Sequence, residues 1–465
     1  MNKQLLQPQM TMGMEQLNSP SVDELFVDIV KIEPKLIDDF VPDNGSEQKQ
    51  KFLNGDIHNP DNHYPKLESN DYEGNAEKIA QLGERIINHS ILNQKYKSTY
   101  SVFIKQYIKL NRMLELARDI KAISTKVNEE LTSEYIMLNH ELYGEPEESV
   151  YRSLLSEKVG RIAKKDLAGR ALDVKNELMD LLGDVDTETQ DERFRPSTET
   201  IEWMHGVVDS LYGSMLSHVP EDVESFNAEA AQAVFESILH DEFGEAAEDW
   251  RIDIEQAQSV NVKASEKRIV IPLERSISQA AMRGLVVHEM GVHMLRAIQG
   301  ASTDLKPLEL GLPGYMNNEE GLGVIMQQAL KGEYHESGIN HYITIGLANF
   351  EKKDFRDTFE IKWRLSALSS LKAGSKLTDE AITKSQNASY GATMRIYRGT
   401  DSLPLFKDIS YYNGARDMWQ YLESIQGDEL KFMFVLMGRA NPANSDDQRL
   451  LLETATIDND GDKNE

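Results

Sequence analysis

From Ala76 to about Leu182 apolar residues recur at three- and four-residue steps. Phe103, Tyr107, Leu110, Leu114 and Ala117 fall on one stripe with charged residues between them, the pattern of an amphipathic helix. Gly144-Glu145-Pro146 divides this region into two helical runs. The same period returns over Ile201 to Met215, Val223 to Phe243, Ile339 to Leu371, Asp379 to Tyr397 and Asp417 to Met437. Between these runs the pattern changes. Trp250 to Gln256 and Ser259 to Lys263 alternate as short strands do, and Arg268-Ile269-Val270-Ile271-Pro272 is β-branched and closed by proline. A small sheet is therefore predicted just ahead of the next helix. Ser276 and Gln279 suit a capping box at its start, and Gly300 suits its C-terminal stop. After the turn-rich Gly311-Leu312-Pro313-Gly314-Tyr315, a further helix is expected with Asn317 or Asn318 as cap and Glu319 and Glu320 in its first turn.

The pattern predicts an α+β fold, predominantly helical, in four parts. Residues 1–75 are polar and rich in Asn, Asp, Pro and Gln, and read as a largely disordered or loosely docked lead-in, with Val22 to Ile37 as a short amphipathic piece. Residues 76–200 form a helical subdomain, 201–444 a second domain holding the small sheet, and 445–465 a disordered acidic tail.

Composition narrows the chemistry. The chain has 465 residues and a net charge of −28, which argues against nucleic acid or an anionic membrane as partner. No apolar run approaches the ~18 residues of a membrane span, and no secretory h-region is visible at the start, so a cytoplasmic location is expected. Cysteine is absent; any metal must be held by His, Asp or Glu.

One stretch supplies such ligands: Val287-His288-Glu289-Met290-Gly291-Val292-His293. Two imidazoles and a carboxylate within a helical run can provide two neutral nitrogen ligands and a base for metal-assisted hydrolysis. The spacing is H-E-x-x-x-H, one residue longer than H-E-x-x-H. Residues five apart lie ~140° apart around an ordinary helix and cannot share an ion. A single π-type turn returns them to one side, and Gly291 in the spacer tolerates the distortion and leaves room beside it. A local widening is thus predicted between His288 and His293. Glu319 or Glu320 is placed to return and complete the site, although two glutamates at a helix start also need no more than the helix dipole to explain them. His335 and His341 are expected to play structural roles.

The blocks Ile269-Val270-Ile271-Pro272, His288 to Arg296, Gly311 to Tyr315 and Glu319-Glu320-Gly321-Leu322 together resemble the QEGLA-motif family, which includes the eukaryotic microtubule-associated tyrosine carboxypeptidases. The likeness continues at Arg395-Ile396-Tyr397-Arg398-Gly399 and at Lys407 to Gly414. The resemblance implies a zincin-like metallopeptidase core with zinc held by His288, His293 and Glu320, and with Glu289 as catalytic base. This chain reads Glu-Glu-Gly-Leu-Gly where the family name has Gln-Glu-Gly-Leu-Ala, so Gly323 replaces an alanine. Tyr411 and Arg398, both in family-like blocks, are candidates to stabilise an oxyanion. Arg398 or Arg395 is a candidate to grip a substrate carboxylate through paired hydrogen bonds.

These observations point to a zinc metallopeptidase of carboxypeptidase type acting on the C-terminus of a peptide or protein. The alternative is a non-catalytic regulatory or binding protein that retains a metal site. Glu289 weighs against it, because a structural site has no use for a base.

Overall fold

The computed structural model describes residues 20–123, 128–183, 185, 193–257, 259–372 and 374–461, with side chains as far as Thr454. Helices dominate, and two small sheets lie beside them. No described helix is long and apolar enough to cross a membrane.

The three strands anticipated ahead of the motif are present. Arg268–Pro272 is central, parallel to Arg251–Glu255 and antiparallel to Asn261–Lys263, with Ile269 opposite both Ile252 and Val262. Buried on both faces, the central strand reads as a continuous apolar run, Ile269-Val270-Ile271. Arg251–Glu255 and Asn261–Lys263 are the two edges. A second sheet pairs Ser225–Phe226 with Ile277–Ser278.

That second pairing overrides the expected capping box. Ser278 is the N-cap of the Gln279–Leu285 helix, its hydroxyl accepting from the Ala281 N–H at 3.3 Å. Ser276 instead meets the Ser225 hydroxyl at 2.6 Å, and the Gln279 side chain donates to the carbonyls of Pro220 and Glu221. The stop expected at Gly300 also moves, to Ser302. Gly300 lies against the Leu308–Glu309 backbone, where a Cβ would overlap main-chain atoms.

The largest departure is at the N-terminus. Where a loose lead-in is expected, residues 20–75 are folded onto the body. A capping box, Ser21 with Glu24, opens Val22–Lys31 and buries Leu25, Phe26 and Ile29. Farther along, Phe52, Tyr64 and Leu67 are fully buried. Asp401 accepts from the Tyr64 hydroxyl at 2.7 Å and from the Asn62 side chain at 2.9 Å. A few large side chains and buried hydrogen bonds anchor this segment, and neither leaves a periodic trace. Residues 1–19 lie outside the described residues. The expected tail is helical over Ser445–Gly461, with Leu451 buried; residues 462–465 lie outside the described residues.

The cores do not follow the expected division at residue 200. One cluster joins helices of residues 113–178 to those of residues 342–412 and to Phe52 and Tyr64. A second surrounds the motif helix and the three-stranded sheet, drawing on residues 204–298 and 322–436. A third holds Leu25, Phe26 and Phe103 against Leu305, Leu308 and Leu451. Helical period tells which face of a helix is buried but not which helix covers it.

Candidate metal centre

The motif helix widens where the spacing requires. Val286–Met294 is a π-helical turn, flanked by α-helix on both sides (Gln279–Leu285 and Leu295–Ala301). Gly291 makes the widening packable: a Cβ there would lie 2.6 Å from the Tyr212 ring, and the Tyr212 hydroxyl donates to the Gly291 carbonyl at 2.8 Å. The turn brings the two imidazoles together, with ring centroids 4.7 Å apart and planes at 78°.

The third member comes from the Tyr315–Ala329 helix. This helix begins earlier than expected, with Gly314 as N-cap in the left-handed region, so Glu319 and Glu320 lie past its first turn. Glu320 therefore owes its ionised state to its surroundings rather than to the helix dipole. Burial raises its pKa, but Lys407, His293 and His288 outweigh burial and lower it. One ligand atom each from His288, His293 and Glu320 lie within 4.8 Å of one another. Among the described residues this is the one group of three or more such side chains able to hold a metal ion.

The donor set fits a metal ion. His288 is largely buried, its Nδ1 has no hydrogen-bond partner, and burial with the neighbouring His293 lowers its pKa to about 4, leaving a neutral imidazole at pH 7. His293 points Nδ1 at the Glu319 carboxylate, 2.9 Å away, so Nε2 is free to ligate. Two neutral nitrogens and one carboxylate are the donors zinc takes in sites that keep an open position.

Glu319 is not part of this group of three. Its carboxylate is buried between Arg296, which donates to it, and Arg439, whose Nε lies 3.3 Å away. Burial alone would raise its pKa, but the two guanidinium groups and His293 hold it at about 2. It orients His293 as carboxylates behind metal-bound histidines do. Sequence reasoning offered Glu319 only as a rival ligand and missed Arg296 and Arg439. Arg296 stands seven residues after Glu289, on the apolar face that continues the motif helix, and that placement was the signal available.

Glu289 is buried beside the cluster, and burial lifts its pKa to about 7. A carboxylate with that pKa is suited to exchange protons near neutral pH.

Two close contacts set the geometry around Glu320. Gly321 packs on the backbone of Gly414, in the Ser410–Ser424 helix, and Gly414 packs in turn on the Asn317 carbonyl. This crossing brings Glu320 near Tyr411; Glu320 is the main charge raising the pKa of this phenol, after burial. Gly323 makes room for His288, since a Cβ at 323 would lie 2.7 Å from the imidazole Cε1 and Nε2.

The two arginines part company. Arg395 is engaged by Asp408, through Nε and Nη2, each at 2.9 Å, so the fork proposed for a substrate carboxylate is occupied by a structural ion pair. Arg398 is largely buried with Nε and Nη2 unpartnered, and its electrostatic neighbours are Asp408, Arg395, Tyr143 and Tyr411. His341 stands with its ring 5.5 Å from that of Tyr411; neither it nor His335 belongs to the metal cluster. A cavity of about 290 Å³ lies alongside, lined by Lys407, Tyr143, Tyr315, Arg439 and the edge strand Asn261–Lys263.

The arrangement defines a helical protein whose His-His-Glu set, with a buried carboxylate on the same turn, could hold a metal ion. Residues 180–335 match the family model described as microtubule-associated tyrosine carboxypeptidase, in agreement with the QEGLA-motif resemblance. The matched stretch contains the π turn and both glutamates, whereas Arg395, Arg398 and Tyr411 lie beyond it. No curated protein and no solved structure matches the chain.

Proposed function

We propose that the chain is a zinc-dependent metallopeptidase with a zincin-like core that removes a residue from the C-terminus of a peptide or protein. The observation that carries this reading is the convergence of His288, His293 and Glu320 within 4.8 Å beside a buried Glu289. The carboxypeptidase family match over residues 180–335 adds to it. His288, His293 and Glu320 would hold the ion, and Glu319 keeps His293 in the tautomer that presents Nε2. Zinc in such a setting supplies Lewis acidity, enough to make water a nucleophile near neutral pH.

Glu289 takes the proton from the attacking water and delivers it to the leaving amine, so one carboxyl serves both proton transfers. Tyr411, beside Glu320 and protonated at neutral pH, donates to the developing oxyanion. Arg398 offers the substrate's terminal carboxylate its Nε and Nη2, which have no acceptor among the described residues. The cavity next to Lys407 has aromatic walls and receives the terminal side chain.

The test uses the full-length protein. Glu289→Gln is expected to keep stoichiometric zinc and lose turnover by about 10²–10⁴-fold, while His293→Ala loses both. Arg398→Met is expected to raise KM for peptides with a free C-terminal carboxylate and to leave amidated peptides, poor substrates already, unchanged. Peptides differing only in the last residue identify the substrate class. Activity undiminished in Glu289→Gln would sink the enzyme reading and leave a metal-retaining binding protein.

A further inference from the structure

A cavity of about 560 Å³ lies beside His341, between Glu148–Ala163 and the start of Ile339–Asn349. Its chemistry runs against the charge of the chain. In a molecule of net charge −28 its wall carries Lys158, Arg161 and Lys165. Lys362, itself buried, stands directly behind the wall residue Asn340.

The cations differ in how they are satisfied. Lys165 caps the end of Phe355–Ser370 by donating to the carbonyls of Leu368, Ser369 and Leu371. Arg161 pairs with Glu157. The two acids of the wall are both taken by arginines, Glu157 by Arg161 and Arg193, and Glu336 by Arg193 at 3.2 Å. Lys158 and Lys362 are left with one asparagine between them. Lys158 donates to the Asn340 side-chain oxygen at 2.5 Å and Lys362 to the Asn340 carbonyl at 2.9 Å. Neither has a carboxylate partner among the described residues. Two lysine side chains drawn together away from water without a counter-charge favour the neutral amine, and an anion bound beside them would restore the charged form. Ile339 and Asn340, which open the Ile339–Asn349 helix, stand on the same wall, and the next two N–H groups, of His341 and Tyr342, donate to the Gly338 carbonyl, each at 3.0 Å. Burial and mutual repulsion also lower the Lys362 pKa to about 7, in keeping with a site short of negative charge.

We propose that this cavity binds phosphate or a phosphate monoester, a compact dianion held by Lys158 at the first turn of Ile339–Asn349, with Lys362 adding positive charge from behind Asn340. Lysine suits this role as a point charge toward phosphate oxygens. Through His341, which lines the cavity and faces Tyr411, an occupied site borders the candidate catalytic centre.

The experiment is thermal unfolding and calorimetric titration of the full-length protein with sodium phosphate, with glycerol 2-phosphate, and with sodium chloride at equal ionic strength. Phosphate is expected to raise Tm by about 2 °C at saturating millimolar concentration. Chloride is expected to do nothing comparable. A monoester binding more tightly than inorganic phosphate identifies a phosphorylated molecule as the ligand, and the reverse identifies free phosphate. Lys158→Met, at the half-buried rim, is expected to weaken binding about tenfold or more. Lys362→Met is expected to raise Tm without ligand and to weaken the phosphate response; should it fail to fold, Lys158→Met alone decides. Phosphate acting no more than chloride, or acting equally on the wild type and Lys158→Met, overturns the proposal.

Discussion

Gly323→Ala restores the residue in the family's motif name, yet in this chain it is expected to damage the metal centre. The added Cβ would stand 2.7 Å from the His288 Cε1 and Nε2, well inside ordinary contact. The ring has little room to retreat, because the His293 ring lies 4.7 Å away. Two effects oppose each other. Alanine in a helix interior gains up to ~1 kcal/mol over glycine. Overpacking a filled interior typically costs ~1–3 kcal/mol. The net expectation is a loss of about 1 kcal/mol in the metal-free protein, with most of the displacement falling on a ligand. Zinc affinity should then fall by about 10–100-fold, the usual consequence of disturbing what orients a ligand. The measurement is zinc competition against a chelator, together with denaturant unfolding of the metal-free protein. Gly391→Ala serves as control: it is also helical but opens onto free space, so it should gain stability and leave zinc binding alone. If Gly323→Ala binds zinc as tightly as the wild type and gains stability like Gly391→Ala, His288 does not occupy the position described, and the reading of the centre fails with it.

Two further perturbations follow from buried charge. Glu319→Ala leaves Arg296 and Arg439 without their shared carboxylate, and breaking a buried ion pair typically costs ~3–5 kcal/mol; an unfolding free energy from denaturant titration within ~0.5 kcal/mol of wild type would refute the buried triad. Asp408 bears on acid stability. Burial raises its pKa, but Arg395 and Lys407 pull it from 3.8 down to about 2. Between these values the folded state holds fewer protons than the unfolded one. The contribution, about 2 kcal/mol, is therefore complete above about pH 4 and disappears as pH falls toward about 2. Asp408→Asn should be less stable at neutral pH and should lose that acid-side slope; an unchanged slope in urea titrations would count against the pairing.

Much of the centre was legible because local spacing dictates it. H-E-x-x-x-H cannot present both imidazoles to one ion from a regular helix, so the π turn follows from counting residues. The strands ahead of it were likewise visible in β-branched runs closed by proline. What stayed hidden depends on contacts distant in sequence. The Ser225–Ser276 pairing displaced the cap, and the Glu319 triad joins residues separated by more than a hundred positions. Arg395 and Arg398 are indistinguishable in sequence; only the position of Asp408 engages one and leaves the other bare. The N-terminal segment escaped notice because it is held by single aromatics and by Asp401, not by a stripe.

The contact between Gly321 and Gly414 also has a temporal side. The helix that delivers Glu320 seats on a backbone made almost a hundred residues later, so a growing or truncated chain that stops short of Ser410 has nothing to press against. Glu320 would then settle against His288 and His293 only once Ser410–Ser424 has been made, so the candidate centre is expected to assemble late and not from residues 180–335 alone.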